Sequence, residues 1–204
     1  MPIATDSEYV VLNAVCLKKM ATSEQIADAT DLDEASIIEA LTGLEGSGAL
    51  VIVGDAALPG DDAALLLAQA AEQRYADARI DPEVTKMAER FEAVNSQFLQ
   101  TISGWQQIEV GGKKVTNDHS DADYDGKILD RIDKQVSRLE RLIETLQDHD
   151  ARFGAYVRRF RTASDAVARG DIDLVSSPMR DSIHNVWFEF HEDLLRTLGR
   201  ERKE

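Results

Sequence analysis

The chain has 204 residues, 43% of them apolar, enough for one large domain or two small ones around a buried core. A formal charge of −15 repels nucleic acid and anionic membranes at long range, and a single cysteine, Cys16, excludes an internal disulfide. The first residues lack an apolar run of secretory type, and no run anywhere approaches the ~20 residues of a membrane span. The expectation is a cytoplasmic protein with no membrane partner.

Charge is unevenly spread along the chain. Residues 1–73 carry thirteen acidic side chains against Lys18 and Lys19 alone, and no Lys or Arg occurs from Met20 to Gln73. From Glu8 to Met20, Val11, Leu12, Val15, Cys16 and Met20 recur at helical spacing and predict a first helix with Cys16 in the core. Thr22, with Gln25 three places on, predicts the capped start of a second helix carrying Ile26 and Ala27. Asp31-Leu32-Asp33 makes a turn, and Asp33 caps a third helix with Ile37, Leu41 and Leu44 inside. Gly46 and Gly48 end that helix, Ala49–Val53 reads as a buried strand, Gly54-Asp55 as a tight turn, and Ala56–Leu58 as a returning strand broken by Pro59-Gly60. Asp61 or Asp62 then caps a helix running to Arg79.

Ile80-Asp81-Pro82 is the expected boundary between a domain at 1–80 and one at 81–204, since proline pushes its predecessor away from helix and suits a first turn. Beyond it, Val84, Met87, Phe91, Val94, Phe98, Ile102 and Trp105 step by three or four, a one-sided helix over 83–107. Gly111-Gly112 reads as a hairpin tip. Tyr124 to Leu146, His149 to Arg169, and a last helix opened by Pro178 and closed by Gly199 complete a bundle of about four helices. The fold class expected is therefore mainly α, with a small β-wing after a helix-turn-helix and a C-terminal helical bundle.

Ala21–Val53 resembles the winged helix of the MarR-type bacterial regulators, with Thr22, Ile26, Ala27, Leu32, Ile37, Leu41 and Leu44 on the generic pattern. This covers about a third of the chain and speaks to fold more than function. The resemblance implies that the third helix reads bases and that a basic wing tip touches the minor groove. Here the corresponding surface, Glu34, Ala35, Ser36, Ile38, Glu39 and Thr42, and the tip Gly54-Asp55, offer no cation. Phosphate contacts by Lys and Arg supply most of the affinity for a duplex, so sequence-specific DNA binding is the disfavoured alternative. Trp105–Tyr124 and Trp187–Leu195 resemble small uncharacterised bacterial helical proteins, which imply no activity.

Three groups stand out among the remaining residues. Arg131, Lys134, Arg138 and Arg141 share one helix face and form a basic stripe suited either to solvent or to electrostatic docking within the subunit, across a dimer, or with an anionic ligand; Arg152, Arg158, Arg159 and Arg161 add a second cluster. Asp121, Asp123 and Asp125 fit the first half of a calcium loop, but the twelfth place holds Ile132 instead of a bidentate Glu, so they read better as helix-start acids. His184 and His191 lie two turns apart, ~10 Å along a helix, too far to share one ion unaided. With Trp105, Asp118, His119, Tyr124 and Trp187 they make a candidate ligand pocket, or the polar site of an accessory subunit or enzyme. No nucleophile elbow, phosphate-binding loop or dinucleotide fingerprint occurs, so no catalytic residue, metal or cofactor is assigned. The leading expectation is a regulator-like protein whose acidic helix-turn-helix mediates protein contacts, with the bundle for homodimerisation or ligand sensing.

Overall fold

In the computed structural model, which describes residues 3–201, helix α1 (Asp6–Lys18) starts where Thr5 and Glu8 close a reciprocal capping box. Helix α2 (Ser23–Ala29) starts the same way: Gln25 N donates to Thr22 Oγ1 at 3.3 Å and Thr22 N donates to Gln25 Oε1 at 3.0 Å. Asp33 caps α3 (Glu34–Gly46) by accepting from Ser36 N at 2.8 Å. Strands β1 (Ala21–Thr22), β2 (Leu50–Val53) and β3 (Ala56–Pro59) form an antiparallel sheet in the order β1-β3-β2, with Ala21 and Ile52 both facing Ala57. Two residues of β1, lodged between helices, are too short to leave a periodic signal, and the sequence does not announce them.

The helix expected to run unbroken to Arg79 divides into α4 (Ala63–Arg74) and α5 (Ala76–Ile80) at Tyr75, whose φ of −110° and ψ of 21° leave the helical region. Tyr75 is buried against Tyr9 and Phe153, and its hydroxyl donates to Asp150 Oδ2 at 2.7 Å, so tertiary contacts outweigh local propensity there. Asp62 precedes α4 without a side-chain capping bond.

Pro82 opens α6 (Pro82–Gln106), which leads into the hairpin β4 (Gln107–Val110) and β5 (Lys113–Thr116). Gly111 and Gly112 turn that hairpin at φ of 59° and 77°, a conformation that only glycine adopts freely at two successive positions. Helix α7 (Ala122–Gln147) packs on α6. A 3-10 turn at Ala151–Phe153 and α8 (Gly154–Ala168) follow, where the sequence suggests one continuous helix. Helix α9 (Ile183–Leu198) begins at its Ser182 cap and not at Pro178. The segment between is tied back on itself: Ser182 Oγ and Asn185 Nδ2 both donate to Ser177 O, and Arg180 pairs with Asp171.

One continuous apolar cluster runs from Tyr9, Leu12 and Val15 of α1 through Phe91 and Phe98 of α6 to Trp187 and Phe190 of α9. Helix is the dominant structure and the strands are few. Among the described residues no helix is long and apolar enough to cross a membrane.

Candidate functional site

Two surfaces and one buried seam hold the charged and polar side chains of interest. The seam joins residues 1–80 to α8 and α9. Lys18 Nζ donates to Asp181 at 2.7 Å and Glu189 at 3.1 Å, and Arg159 grips the same two carboxylates at 2.8 and 2.6 Å. Farther along, Arg74 reaches Asp150 at 2.9 Å and Asp6 at 2.5 Å. Arg152 donates to Tyr75 Oη at 2.7 Å and holds Asp193 through both carboxylate oxygens at 2.5 and 2.9 Å, while Tyr156 Oη donates to Asp193 at 2.8 Å. Arg196 bonds Asn13, and Arg79 donates to the carbonyls of Thr197 and Arg196 at the end of α9, where the helix dipole favours a cation.

Asp193 is fully buried. Burial alone would push its carboxyl up, but Arg152, with Arg196 and the Tyr156 hydroxyl, outweighs that and holds it below the usual carboxylate range. Asp150 and Asp181 are likewise lowered against their burial, by Arg74, Tyr75 and Arg152 in one case and by Arg159 and Lys18 in the other. Asp193 stands on the apolar face of α9 between Phe190 and Leu194, and an acid at such a position is the sequence signal that would have pointed to this seam.

The second arginine cluster divides. Arg159 is buried in the seam and Arg152 is 11% exposed there, Arg161 pairs with Glu140 on the outside, and Arg158 reaches the turn between α2 and α3. Its guanidinium donates to the carbonyls of Asp28 at 3.1 Å and Thr30 at 2.8 Å, at the C-terminal end of α2, and to Asp31.

The first surface is the outer face of α3. Glu34, Ala35, Ile38, Glu39 and Thr42 are exposed and Ser36 is half-buried. Ile38 is 52% exposed, and Val51 and Val53 of the neighbouring hairpin are 50% and 60% exposed. Residues 1–80 contain four cations, Lys18, Lys19, Arg74 and Arg79, and three of them are engaged in the seam. Lys19 alone remains outside it.

The second surface is the α6–α7 side of the bundle, where Arg131, Lys134, Arg138 and Arg141 are all exposed. Arg138 donates to Gln97 Oε1 of α6 at 3.3 Å.

The candidate ligand pocket does not assemble as one site. Its three histidines meet aromatic residues of α6 that are seven residues apart: His119 lies tilted against Trp105 at 4.3 Å between ring centroids, His184 by Phe98 at 6.2 Å, and His191 by Phe91 at 5.1 Å. Each interval is ~10 Å of helix rise, so a common ligand sphere is excluded. His119 takes a positive φ of 57°, held by its N–H bond to Asn117 Oδ1 and by Asp125, whose Oδ2 is 2.9 Å from His119 Nδ1. Tyr124 Oη donates to Gly104 O, and Asp118 faces solvent, accepting from Ser120. His184, Trp187 and His191 instead flank a separate cleft of about 810 Å³ between α6 and α9, beside Asn95 and the exposed Leu99 and Phe188. Burial lowers the His184 imidazole below its ordinary value.

Asp121 caps α7 by accepting from Tyr124 N at 3.0 Å, and Asp123 and Asp125 lie in that helix's first turn. The twelve residues that a calcium loop would need are helical from Ala122 on, so the half-motif does not form one. Among the described residues no group of three or more His, Cys, Asp or Glu side chains is placed to hold a metal ion.

Comparison with known families, curated proteins and solved structures finds no match to this chain.

Proposed function

We propose that residues 1–80 are a winged helix-turn-helix unit of a regulator-like protein, and that its α3 face binds another protein in preference to DNA. The fold part of this reading is supported by the three helices α1 to α3 followed by the β2-β3 hairpin, which stand where the sequence expects a helix-turn-helix and a small wing. One observation carries the functional part: the seam engages three of the four cations of residues 1–80, and α3 presents Glu34, Glu39 and an exposed Ile38. A phosphate backbone would meet Glu34 and Glu39 on a helix that carries no lysine or arginine of its own, whereas a partner with basic side chains around an apolar anchor would fill the same face. The bundle then serves ligand sensing or homodimerisation, as the basic side of α7 and the α6–α9 cleft suggest.

The test has two arms. A fluorescent duplex titrated at low salt should show no saturable binding in the micromolar range, and a photo-crosslinker at Glu39 should join the protein to a protein partner in cells. Ile38→Arg should remove that adduct while leaving the melting temperature unchanged. Salt-sensitive micromolar binding to the duplex, or a nucleic-acid adduct at Glu39, would return α3 to DNA reading.

A further inference from the structure

We propose that the groove between α6 and α7 binds a small polyanion, a molecule bearing two or more phosphate or carboxylate groups on a partly apolar body. The groove has a volume of about 380 Å³ and is lined by Arg90 of α6 and by Arg138 and Arg141 of α7, beside Met87, Val94 and Leu142. That volume lies within the range of small-molecule sites.

These three guanidinium groups line one groove, and among the described residues none of them has a carboxylate partner. Arg74, Arg152, Arg158, Arg159, Arg161 and Arg180 each reach a carboxylate oxygen at 3.2 Å or closer. Among the described residues Arg90, Arg138 and Arg141 form no ion pair, and Arg138 has only its bond to Gln97. The one acid lining the groove, Glu83, is held by Lys86 at 2.7 Å. Local sequence gives no relief either. The helical neighbours of Arg90 three and four places away are Lys86, Met87, Ala93 and Val94, and those of Arg138 are Lys134, Gln135, Arg141 and Leu142. Only Arg141 has an acid at such a place, Glu144.

Even in a chain of charge −15, three guanidinium groups that form no ion pair among the described residues line this one groove. Adjacent like charges repel one another, and an anion placed between them removes the repulsion. Guanidinium forks take phosphate or carboxylate through paired N–H bonds, and three of them around one groove favour a ligand with more than one anionic group. The apolar floor of Met87, Val94 and Leu142 accommodates its carbon skeleton. A long polyanion fits less well, because the stripe beyond the groove is interrupted by Asp130 and Asp133. This site shares no residue with the α3 face and does not depend on that face's function.

Calorimetric titrations with inorganic pyrophosphate and with citrate test it, each at constant ionic strength against a chloride reference. At least one probe should bind with one-to-one stoichiometry, and Arg138→Gln/Arg141→Gln should weaken it about tenfold or more, while Arg131→Gln/Lys134→Gln leaves it unchanged. The relative affinity of the two probes assigns phosphate or carboxylate chemistry. Both double variants lie on the exposed side of α7, and circular dichroism confirms their folding. Absence of saturable binding by either probe, or binding that is equal in the Arg138/Arg141 variant, would overturn the proposal. So would loss of affinity for duplex DNA or polyglutamate alone, which would assign the stripe to a macromolecule.

Discussion

Removing the Asp193 carboxylate should do more damage than any other single side-chain deletion in the seam. Its side chain is 0% exposed and that of its partner Arg152 is 11% exposed, so Asp193→Ala strands a guanidinium and the Tyr156 hydroxyl in the interior. Breaking a buried pair from one side costs about 3–5 kcal/mol. Arg152 keeps Asp150 at 3.3 Å and the Tyr75 hydroxyl, which places the expected loss near the lower end, about 3 kcal/mol. For a chain of this length that is a fall of roughly 6–12 °C in Tm. Urea unfolding followed by the fluorescence of Trp105 and Trp187 measures it. A companion variant separates charge from position: Arg152→Met/Tyr156→Phe/Asp193→Leu removes all three polar groups together and should recover to within about 1–2 kcal/mol of the parent, since well-packed apolar replacements of buried ion pairs are often neutral. A loss below about 1 kcal/mol in Asp193→Ala, or a triple variant no better than the single one, would refute the reasoning.

Further outcomes follow from the same geometry. Asp150, Asp181 and Asp193 have folded-state values below the ordinary carboxylate value of about 3.9, so their stabilisation is complete above that pH and is lost as pH falls through the lower folded values. The acid limb of the stability curve should therefore be shallower in Asp193→Ala. His184 has the opposite ionisation but the same sign: with its folded value below about 6.5, the unfolded state takes up the proton first, and stability declines from neutrality toward the folded value. Thermal melts from pH 7 to 5 should show a smaller decline in His184→Gln, and an identical slope would contradict the burial of that ring. A Cβ at Gly60 would stand 2.3 Å from the Gly48 carbonyl oxygen, which is backbone and cannot yield, so Gly60→Ala should cost about 1–3 kcal/mol. At Gly43 the obstruction, at 2.4 Å, is the flexible carboxylate of Glu8; loss of its capping bonds is offset by the better helix propensity of alanine, and Gly43→Ala should fall within about 1 kcal/mol of the parent. Chemical denaturation of the pair would reject this account if their order were reversed.

Local order was readable wherever a short-range rule acted alone. Thr22 with Gln25, Asp33, Pro82 and Gly199 mark helix ends through bonds or dihedrals set within a few residues, and each stands at its expected place. The misplacements occur where distant residues intervene. Tyr75 breaks a helix because Tyr9, Asp150 and Phe153 claim its side chain, and α9 starts at Ser182 because Asp171 and Ser177 fix the preceding turn. The candidate pocket failed for a related reason. Periodicity sets His184 and His191 on one helix face and is silent on His119, which lies in a loop, and it contains nothing about the level along α6 at which each meets its aromatic partner.

Cations give the clearest case of what periodicity leaves open. Arg138 and Arg141 are three residues apart, and Arg152 and Arg159 are seven apart, both one-face helical spacings, so in the sequence the two groups look alike. In the structure Arg152 and Arg159 pair with carboxylates in the seam, Arg158 closes on the α2–α3 turn, and Arg138 and Arg141 line a groove without an acid partner among the described residues. The difference lies in which helix face meets residues 1–80. That unit brings Lys18, Arg74 and Arg79 to acids and carbonyls of the bundle, while Arg158 crosses in the other direction, so neither side matches the other by net charge. A contact of this kind is specified pair by pair. It engages three of the four cations of residues 1–80 and sets the half-exposed Arg158 of the bundle at the α2–α3 turn.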